Sequence, residues 1–570
     1  MPDPTDFASR TVLVLGSGPI RIGQGIEFDY SCVHCVWSLR NLGYRPIIVN
    51  NNPETVSTDF DTGDGLYFEP VTLADVLAII EHEKPVGAVV QFGGQTAINL
   101  AEGLKAAGVW VLGTSPEAIA KAEDRAQFDA LLADLGIPRP HGRAVRSYAA
   151  ARETAAEIGY PVLIRPSFVL GGRAMEIVYD EAQLEAFYGE AEAENPDQPV
   201  LVDKYLLGVE AEVDVISDGT DTLVPGIMEH IERAGVHSGD SMAVYPPINL
   251  GVDVQSQMVL SACKIARALD VRGLMNVQFV IQDGQAYVLE VNPRASRTVP
   301  YLSKVTGIPM VDLATRCMMG QSLKELGYSS GLWALRPGPC RKTLLDAKPL
   351  ACGEILAESA FASGEVILPP PVLFAVKAPV FSFQKLARVE PSLGPEMKST
   401  GEIMGVDRTF EGALYKALVA SGIHFRGDGS VLMTVRDDDK PAAVEIARGL
   451  VLGGHKIFAT RGTAAALTEA GIQVETIGKI SSGTPNLLDL VLGGGVSLMI
   501  NTPSTDRVAE LEAGRIRRSC IETGVPCVTS IDTATALLRA LEVFRNPQQA
   551  LCLRLDEYFL GEPAPAVSIQ

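Results

Sequence analysis

The feature that most restricts the fold of this chain is the strict alternation of strand-like and helix-like runs near its start. Apolar runs at 11–15, 46–50 and 86–91 read as strands, and amphipathic patterns at 30–42, 74–82 and 96–107 read as helices between and after them. A strand that returns beside its predecessor through a helix lies parallel to it, with a right-handed crossover. The segment therefore predicts a parallel sheet with helices on both faces, closing near Gly113. From about residue 116 the pattern becomes mixed. Runs at 161–166 and 175–179 flank Gly171-Gly172 and read as a hairpin, with further strands at 201–203, 211–217, 274–281 and 286–291. After Gly320, a Pro-Gly-Pro and a run of three prolines predict an irregular insertion up to about Pro371. A last α/β block from about Ser421 carries strand-like runs at 430–435, 455–459, 473–476 and 496–501, the mark of a small parallel-sheet domain.

At 570 residues the chain is too long for one core, and several domains are expected. Its 69 acidic against 48 basic residues give a net charge of -21, which repels phosphate backbones and anionic lipids. Nucleic-acid and membrane roles are therefore disfavoured, and no apolar run is long enough to span a bilayer. The polar start lacks the apolar core of a secretory leader, and nine scattered cysteines suit a reducing compartment, so a cytoplasmic location is expected. Cys32 and Cys35 form one Cys-x-x-Cys with no second pair at zinc spacing, and read as buried helix positions.

Gly16-Ser17-Gly18 follows a strand, but the third glycine of a dinucleotide fingerprint would fall at Arg21. The second strand ends in Asn50 and Asn51, where a carboxylate for a ribose would be needed. A nicotinamide enzyme is thereby disfavoured, and no P-loop motif occurs. The seven histidines form no spaced metal cluster, so any bound metal must have oxygen ligands.

The sharpest constellation is Asn276-Val277-Gln278-Phe279 followed by Leu289-Glu290-Val291-Asn292-Pro293-Arg294. On two adjacent strands, Gln278, Glu290 and Asn292 share one face, because alternate residues point the same way. The trio offers oxygens to a hard cation, Arg294 offers charge to a phosphate, and the interleaved apolar residues form a floor. Arg165-Pro166-Ser167 with Gly171-Gly172-Arg173 is a second constellation, a glycine turn whose N–H groups can approach phosphate oxygens. A third is the donor- and acceptor-rich loop from Gly235 to Ser241.

Together these segments resemble the ATP-grasp superfamily, and within it the large subunit of carbamoyl phosphate synthetase. The resemblance is carried by GSGPIRIGQGIEFDY at 16–30, NPETVSTD at 52–59, FGGQTAINLA at 92–101 and RPSFVLGGRAM at 165–175. EHIERAGVHSGDS at 229–241, RGLMNVQF at 272–279, EVNPRASRTVPYLSKVTG at 290–307 and LGPEMKSTGEIMGVDRTF at 393–410 complete it. The wording at 52–59, 235–241 and 291–300 is similar to the second, carbamate-phosphorylating half. The block with TRGTAAAL at 460–467, Gly478-Lys479 and INTPS at 500–504 resembles the methylglyoxal-synthase-like regulatory domain that follows it.

The resemblance implies an α/β multidomain fold. A pre-ATP-grasp, Rossmann-like domain would span 1–116 and an ATP-grasp domain 117–328. The irregular insertion 329–371 would precede the rest of the synthetase unit and a linker at 372–420. A methylglyoxal-synthase-like allosteric domain would occupy 421–570. It implies ATP binding by Arg125, Arg165, Gly171, Gly172, Lys204, Leu206, Glu210 and Gly235-Val236-His237-Ser238, together with Gln278 and Glu290. Mg2+ or Mn2+ would be held by Gln278, Glu290 and Asn292, with Arg294 and Arg297 steadying carbamate and the transferring phosphoryl group. Glu232, Asp240 and Glu396 match positions tied to a potassium (K+) or ornithine site. Lys440, Thr460, Thr463, Lys479, Asn501 and Thr502 would grip the phosphate of a nucleotide effector such as UMP or IMP. The implied partners are a bicarbonate-phosphorylating synthetase half and a glutaminase small subunit, in a route feeding pyrimidine and arginine biosynthesis.

Two features depart from the family pattern. Residues 329–371 match no part of it, and Cys527 stands where the family often has a tyrosine near the ornithine site, which predicts a weak ornithine response. Other ATP-grasp ligases, such as biotin carboxylases or purine-pathway ligases, lack the block after Ser421. A catalytically silent nucleotide-sensing subunit would not need the intact Gln278–Glu290–Asn292 trio.

Overall fold

The computed structural model describes residues 10–166, 175–194, 198–338, 351–386, 389–425, 429–504 and 507–560. The chain forms two compact units. One comprises Met1–Glu229, Tyr245–Val372 and Leu555–Glu562; the other comprises His230–Val244, Leu373–Arg554 and Pro563–Gln570.

The first unit opens on the expected parallel sheet, made of β1 (Thr11–Leu15), β2 (Arg45–Val49), β3 (Gly65–Tyr67), β4 (Gly87–Val89) and β5 (Val111–Leu112). Their order is β3-β2-β1-β4-β5, all parallel. The chain leaves β1 to one side and later returns on the other, which opens a crevice at the carboxyl ends of β1 and β4. The backbones after those strands approach closely: a Cβ on Gly93 would lie 2.3 Å from the Leu15 carbonyl oxygen. Helix α1 (Glu27–Asn41) packs on this sheet and buries Cys32 and Cys35 completely, consistent with core positions. The single helix expected at 96–107 is instead two, α3 (Gly94–Ile98) and α4 (Ala101–Ala106), after α2 (Leu73–Glu83).

Helices α5 (Pro116–Glu123) and α6 (Arg125–Asp134) lead to a small antiparallel sheet of β6 (Gly142–Val145), β7 (Val162–Pro166), β8 (Glu176–Val178) and β9 (Val200–Lys204). Strands β7 and β8 pair antiparallel, as the hairpin reading requires, while Gly171 and Gly172 lie outside the described residues. The next sheet is built on β10 (Val209–Asp218), which pairs antiparallel with β14 (Arg272–Gln282) along its whole length. β14 pairs in turn with β15 (Gln285–Asn292). β11 (Thr222–Val224), β12 (Ile227–Arg233), β13 (Ala243–Tyr245) and helix α9 (Val252–Ala268) lie between β10 and β14 in sequence. One sheet face carries Val213, Val215, Met275, Val277, Phe279, Val288 and Val291 into the apolar core that α9 closes. The opposite face is polar, and it carries the candidate site.

The stretch 329–371, expected to be irregular, contains regular structure on either side of the undescribed 339–350. β16 (Gly331–Leu335) pairs with β11 and with β17 (Gly353–Ala357), and α12 (Glu358–Ser363) follows. The prolines lie outside the strands. Gly331–Leu335 is an apolar pentapeptide, buried throughout, whose Trp333 indole donates to the Thr306 carbonyl oxygen at 3.1 Å.

In the second unit β18 (Phe374–Val380) and β19 (Gly401–Asp407) pair antiparallel and pack against α13 (Phe410–Ala420). The expected second parallel sheet follows: β20 (Ser430–Thr434), β21 (Lys456–Thr460), β22 (Glu475–Ile477), β23 (Leu498–Asn501) and β24 (Cys527–Val528). The order is β22-β21-β20-β23-β24. β24 escaped the sequence reading because two residues are too few to show a period. Among the described residues no helix is long and apolar enough to cross a membrane.

Candidate functional site

The polar face of the β10–β14–β15 sheet brings the sequence-derived trio together. Gln278 stands directly opposite Glu290 and Asn276 opposite Asn292, so all four share a face. On the other flank of β14, Glu212 stands opposite Gln278 and Asp214 opposite Asn276. The Asn276 amide donates to Glu212 Oε2 at 3.0 Å, and the Asn292 amide to Glu290 Oε1 at 3.0 Å. Gln278, Glu290 and Asn292 are half-buried, whereas Glu212, Asp214 and Asn276 are buried. Burial first, and Glu212 second, push the Asp214 carboxyl up to about 7 against the pull of Ser296, Thr298 and Asn276. Glu212 and Asp214 were missed from sequence, because β10 pairs with β14 across some sixty residues.

The segment after β15 folds over this face toward the first parallel sheet. Gln91, just after β4, donates to the Pro293 carbonyl oxygen at 3.1 Å and accepts the Ala295 N–H on its own carbonyl oxygen at 3.0 Å. Arg294 reaches Asn292 Oδ1 at 3.2 Å and lies over the Phe28 ring, 5.9 Å from its centroid. Its pKa is lowered by burial, with Glu290, Glu123, Glu27 and Asp214 opposing. Arg297 Nε donates to Glu27 Oε1 at 3.1 Å. Helix α10 (Thr298–Thr306) starts there, and Thr298 Oγ1 donates to Asp214 Oδ2. Both arginines implied in the chemistry therefore sit beside the oxygen-rich face, each held by an acceptor.

Among the described residues no group of three His, Cys, Asp or Glu gathers as metal ligands. The trio fits a magnesium ion all the same. Its donors are one carboxylate and two amide oxygens, and Mg2+ characteristically takes one or two carboxylates and completes its shell with water and substrate phosphates. The half-exposure of the three side chains leaves room for such phosphates.

A second cationic group lies between α6 and the small antiparallel sheet. Arg125 Nη2 donates to Asp203 Oδ1 at 2.6 Å, and Arg165 Nε lies 3.5 Å from Asp203 Oδ2. Arg139, which sequence reasoning did not single out, pairs with Asp129. Its guanidinium is pushed down to about 10 by burial first and by Arg125 second. Three arginines share two carboxylates, so the cluster keeps a net positive charge suited to an anionic ligand. Lys204 ends β9 with its ammonium on the carbonyl oxygens of Gly159 (3.0 Å) and Tyr160 (3.1 Å), which is an anchoring role. Leu206 is half-buried just beyond, and Glu210 stands opposite Val280 on β10, at the same sheet as the trio.

Gly235, Val236, His237 and Ser238 belong to the second unit, on the loop after β12. The His237 N–H donates to the Gly394 carbonyl oxygen at 2.8 Å, and Lys377 Nζ donates to the Ser238 carbonyl oxygen at 2.9 Å. The Asp240 carboxylate accepts the N–H groups of Lys398 and Ser399, both at 2.8 Å. Glu232 accepts the Met242 N–H at 2.7 Å and the Thr533 hydroxyl at 2.6 Å, and Glu396 is exposed. Each oxygen of the two buried carboxylates receives one donor.

At the carboxyl edge of the second parallel sheet, Thr434, Thr460 and Asn501 end adjacent strands. Thr460 donates to the Thr434 hydroxyl at 3.2 Å and Asn501 Nδ2 to the Thr434 carbonyl oxygen at 3.2 Å. The Thr463 hydroxyl accepts the Val435 N–H at 3.2 Å, and the Thr502 hydroxyl accepts the Arg436 N–H at 2.9 Å. Lys440 opens helix α14 (Lys440–Leu452), and its ammonium lies 2.7 Å from Asp437. These residues form one rim at the point where strand order reverses, the usual ligand position of such a sheet. Lys479 is exposed two residues after the end of β22, whose last residue, Ile477, stands opposite Thr460. Arg517, on the following long helix, is fully buried and donates to Asn501 Oδ1 and Glu390 Oε1, both at 2.6 Å, and to Glu510.

Comparison with known proteins matches three domains along the chain. Residues 8–121 match the carbamoyl phosphate synthase preATP-grasp domain, residues 124–326 the carbamoyl-phosphate synthase L chain ATP binding domain, and residues 442–529 the MGS-like domain. Among solved structures, the chain is similar to the biotin carboxylase–β,γ-ATP complex from Campylobacter jejuni, at 15% identity and a TM-score of 0.51, covering 72% of this chain and 90% of that one. It is also similar to the biotin carboxylase domain of the Hydrogenobacter thermophilus 2-oxoglutarate carboxylase, solved with MgADP, ADP and bicarbonate. That match has 17% identity and a TM-score of 0.52, covering 72% of this chain and 89% of that one. Such distant likeness establishes the fold alone, one like that of the biotin carboxylases. With its pre-ATP-grasp and ATP-binding domains followed by an MGS-like domain, the arrangement of the large subunit's C-terminal half, the chain belongs to the carbamoyl phosphate synthase large-chain family.

Proposed function

We propose that this chain phosphorylates carbamate with ATP to give carbamoyl phosphate, as the carbamate-handling half of a carbamoyl phosphate synthetase. The observation that carries the reading is the oxygen-rich sheet face of Gln278, Glu290 and Asn292, with Arg294 and Arg297 folded over it. The MGS-like match at 442–529 favours this reading over a biotin carboxylase or a purine-pathway ligase, which lack such a block. An ATP-grasp site of this kind works with Mg2+, and Mn2+, with the same oxygen preference, is proposed as a substitute.

Phosphoryl transfer depends on positioning and charge neutralisation rather than on covalent chemistry by the protein. Bound Mg2+ would supply charge neutralisation at the phosphates. Glu290 contributes the negative charge that holds such a cation, and the Gln278 and Asn292 amide oxygens complete its protein ligands. Arg294 and Arg297 stabilise charge building on the transferring phosphoryl group and orient the carbamate oxygen for in-line attack. Arg125, Arg139 and Arg165 form a cationic wall suited to the nucleotide phosphates.

The remaining family roles are proposed with it. A bicarbonate-phosphorylating half and a glutaminase subunit would supply carbamate, in the cytoplasm, for pyrimidine and arginine biosynthesis. The rim of Lys440, Thr460, Thr463, Asn501 and Thr502, with Lys479, would take the phosphate of UMP or IMP. The test is product analysis with the isolated chain in magnesium. ADP with carbamoyl phosphate should yield ATP, and biotin should not stimulate ATP consumption in bicarbonate. Biotin-dependent consumption without the first activity would move the chain to the carboxylases.

A further inference from the structure

The segment 293–298 carries both candidate catalytic arginines and is itself short of regular structure, so its position depends on its ties. Besides the contact of Arg294 with Asn292, three ties to other elements are evident among the described residues. Gln91 grips Pro293 and Ala295 from the end of β4, and Glu27 grips Arg297 from α1. The third comes from the sheet below: Asp214, fully buried on β10, accepts the Thr298 hydroxyl. That hydroxyl lies 2.9 Å from Ser296 Oγ, and Ser296 Oγ in turn accepts the Thr298 N–H at 3.1 Å. The turn bearing Arg297 is thus closed by a small polar knot whose buried end is one carboxylate.

The first two ties fix the arginines to the first parallel sheet. The Asp214 tie fixes them to the sheet that carries Gln278, Glu290 and Asn292: Asp214 stands opposite Asn276, which stands opposite Asn292. We infer that Asp214 is a positioning residue for phosphoryl transfer, holding the arginine-bearing turn in register with the metal-binding face through Thr298 and Ser296. The inference rests on the proposed reaction and adds to it a residue that touches neither substrate nor metal. Positional tolerance is what makes such a tie consequential, because a shift of about 1 Å at a reacting group can cost about 10²-fold in rate.

The test compares Asp214→Ala, Asp214→Asn, Thr298→Val and the Asp214→Ala/Thr298→Val double variant in ATP formation from MgADP and carbamoyl phosphate. MgADP binding is measured by calorimetry, with thermal unfolding as the fold control. Asp214→Ala and Thr298→Val should each lower kcat by about 10²-fold, with the Kd for MgADP within about twofold of wild type. Asp214→Asn retains an acceptor oxygen and should recover most of the rate. The double variant should be no slower than the worse single one, since both remove the same interaction. Unimpaired kcat in folded Asp214→Ala would overturn the role, as would additive losses in the double variant or Asp214→Asn as slow as Asp214→Ala. If Asp214→Ala does not fold, Thr298→Val and Asp214→Asn decide the matter. A wild type that forms no ATP overturns the carbamate reading itself; active wild type with unimpaired variants overturns only the role of Asp214.

Discussion

Replacing Glu290 by glutamine isolates the charge that the candidate metal face contributes. Of its three proposed ligands only Glu290 has a carboxyl group, because Gln278 and Asn292 offer neutral amide oxygens. Glutamine keeps the side-chain length and an acceptor for the Asn292 amide, which now lies 3.0 Å from Glu290 Oε1. Local structure should persist, and a half-buried isosteric change of this kind typically stays within about 1 kcal/mol of wild-type stability. The loss at the site is larger. A carboxylate about 4 Å from a unit cation is worth about 4 kcal/mol at the intermediate polarity of a partly buried cleft, and about twice that from a divalent one. Losing one preorganised electrostatic contact typically costs about 10²–10³ in turnover. Glu290→Gln should therefore form ATP from ADP and carbamoyl phosphate about 10²–10³ times more slowly than wild type, even at saturating magnesium. The assay is coupled ATP detection across a magnesium titration, with thermal unfolding in parallel. Turnover near wild type at high magnesium would remove Glu290 from the metal site and refute the reasoning.

Three further outcomes follow from other parts of the molecule. His34, packed between Tyr30 (4.2 Å) and Trp37 (5.1 Å), has its pKa lowered to about 4 by burial first and Lys304 second. The unfolded chain therefore binds a proton there first as pH falls. The stabilisation is complete above the unfolded value and is lost as pH drops through the folded one. Wild type should lose more thermal stability than His34→Gln between pH 7 and 4, and parallel losses would contradict this. Lys440→Ala, at the rim of the second parallel sheet, should weaken UMP affinity by about tenfold or more while leaving UMP-free ATP formation unchanged. An unaltered UMP titration would dismiss that rim as the phosphate site. Arg517→Met should cost about 3 kcal/mol in urea unfolding, the low end for breaking a buried pair because Glu390 and Glu510 are themselves partly exposed. A variant as stable as wild type would show that the two carboxylates rehydrate freely.

The parts of the fold visible in sequence are those with a local period. The strand–helix alternation of 11–107 and the later block rests on repeating apolar patterns, and Gln278, Glu290 and Asn292 share a face by the same alternation that buries Val277 and Val291. What sequence hid depends on distant pairing. Glu212 and Asp214 join the site because β10 lies beside β14, and nothing near residue 212 announces that neighbour. Arg139 and Arg517 were not singled out from sequence, yet one completes a cluster around Asp203 and Asp129 and the other is fully buried on acceptors from three segments. Prolines misled the reading of 329–371, since they flank β16 and β17 without entering either.

The central claim concerns one transfer, from carbamoyl phosphate to ADP, in the direction that needs no partner chain. Following that transfer by phosphorus NMR on the purified chain, with ADP and magnesium, observes the reacting bond itself. Appearance of the ATP γ-phosphate resonance at the expense of carbamoyl phosphate, dependent on magnesium and faster than spontaneous decay, is the predicted result. Carbamoyl phosphate that decays at its spontaneous rate to inorganic phosphate, with no ATP formed by a folded, MgADP-binding protein, would contradict it.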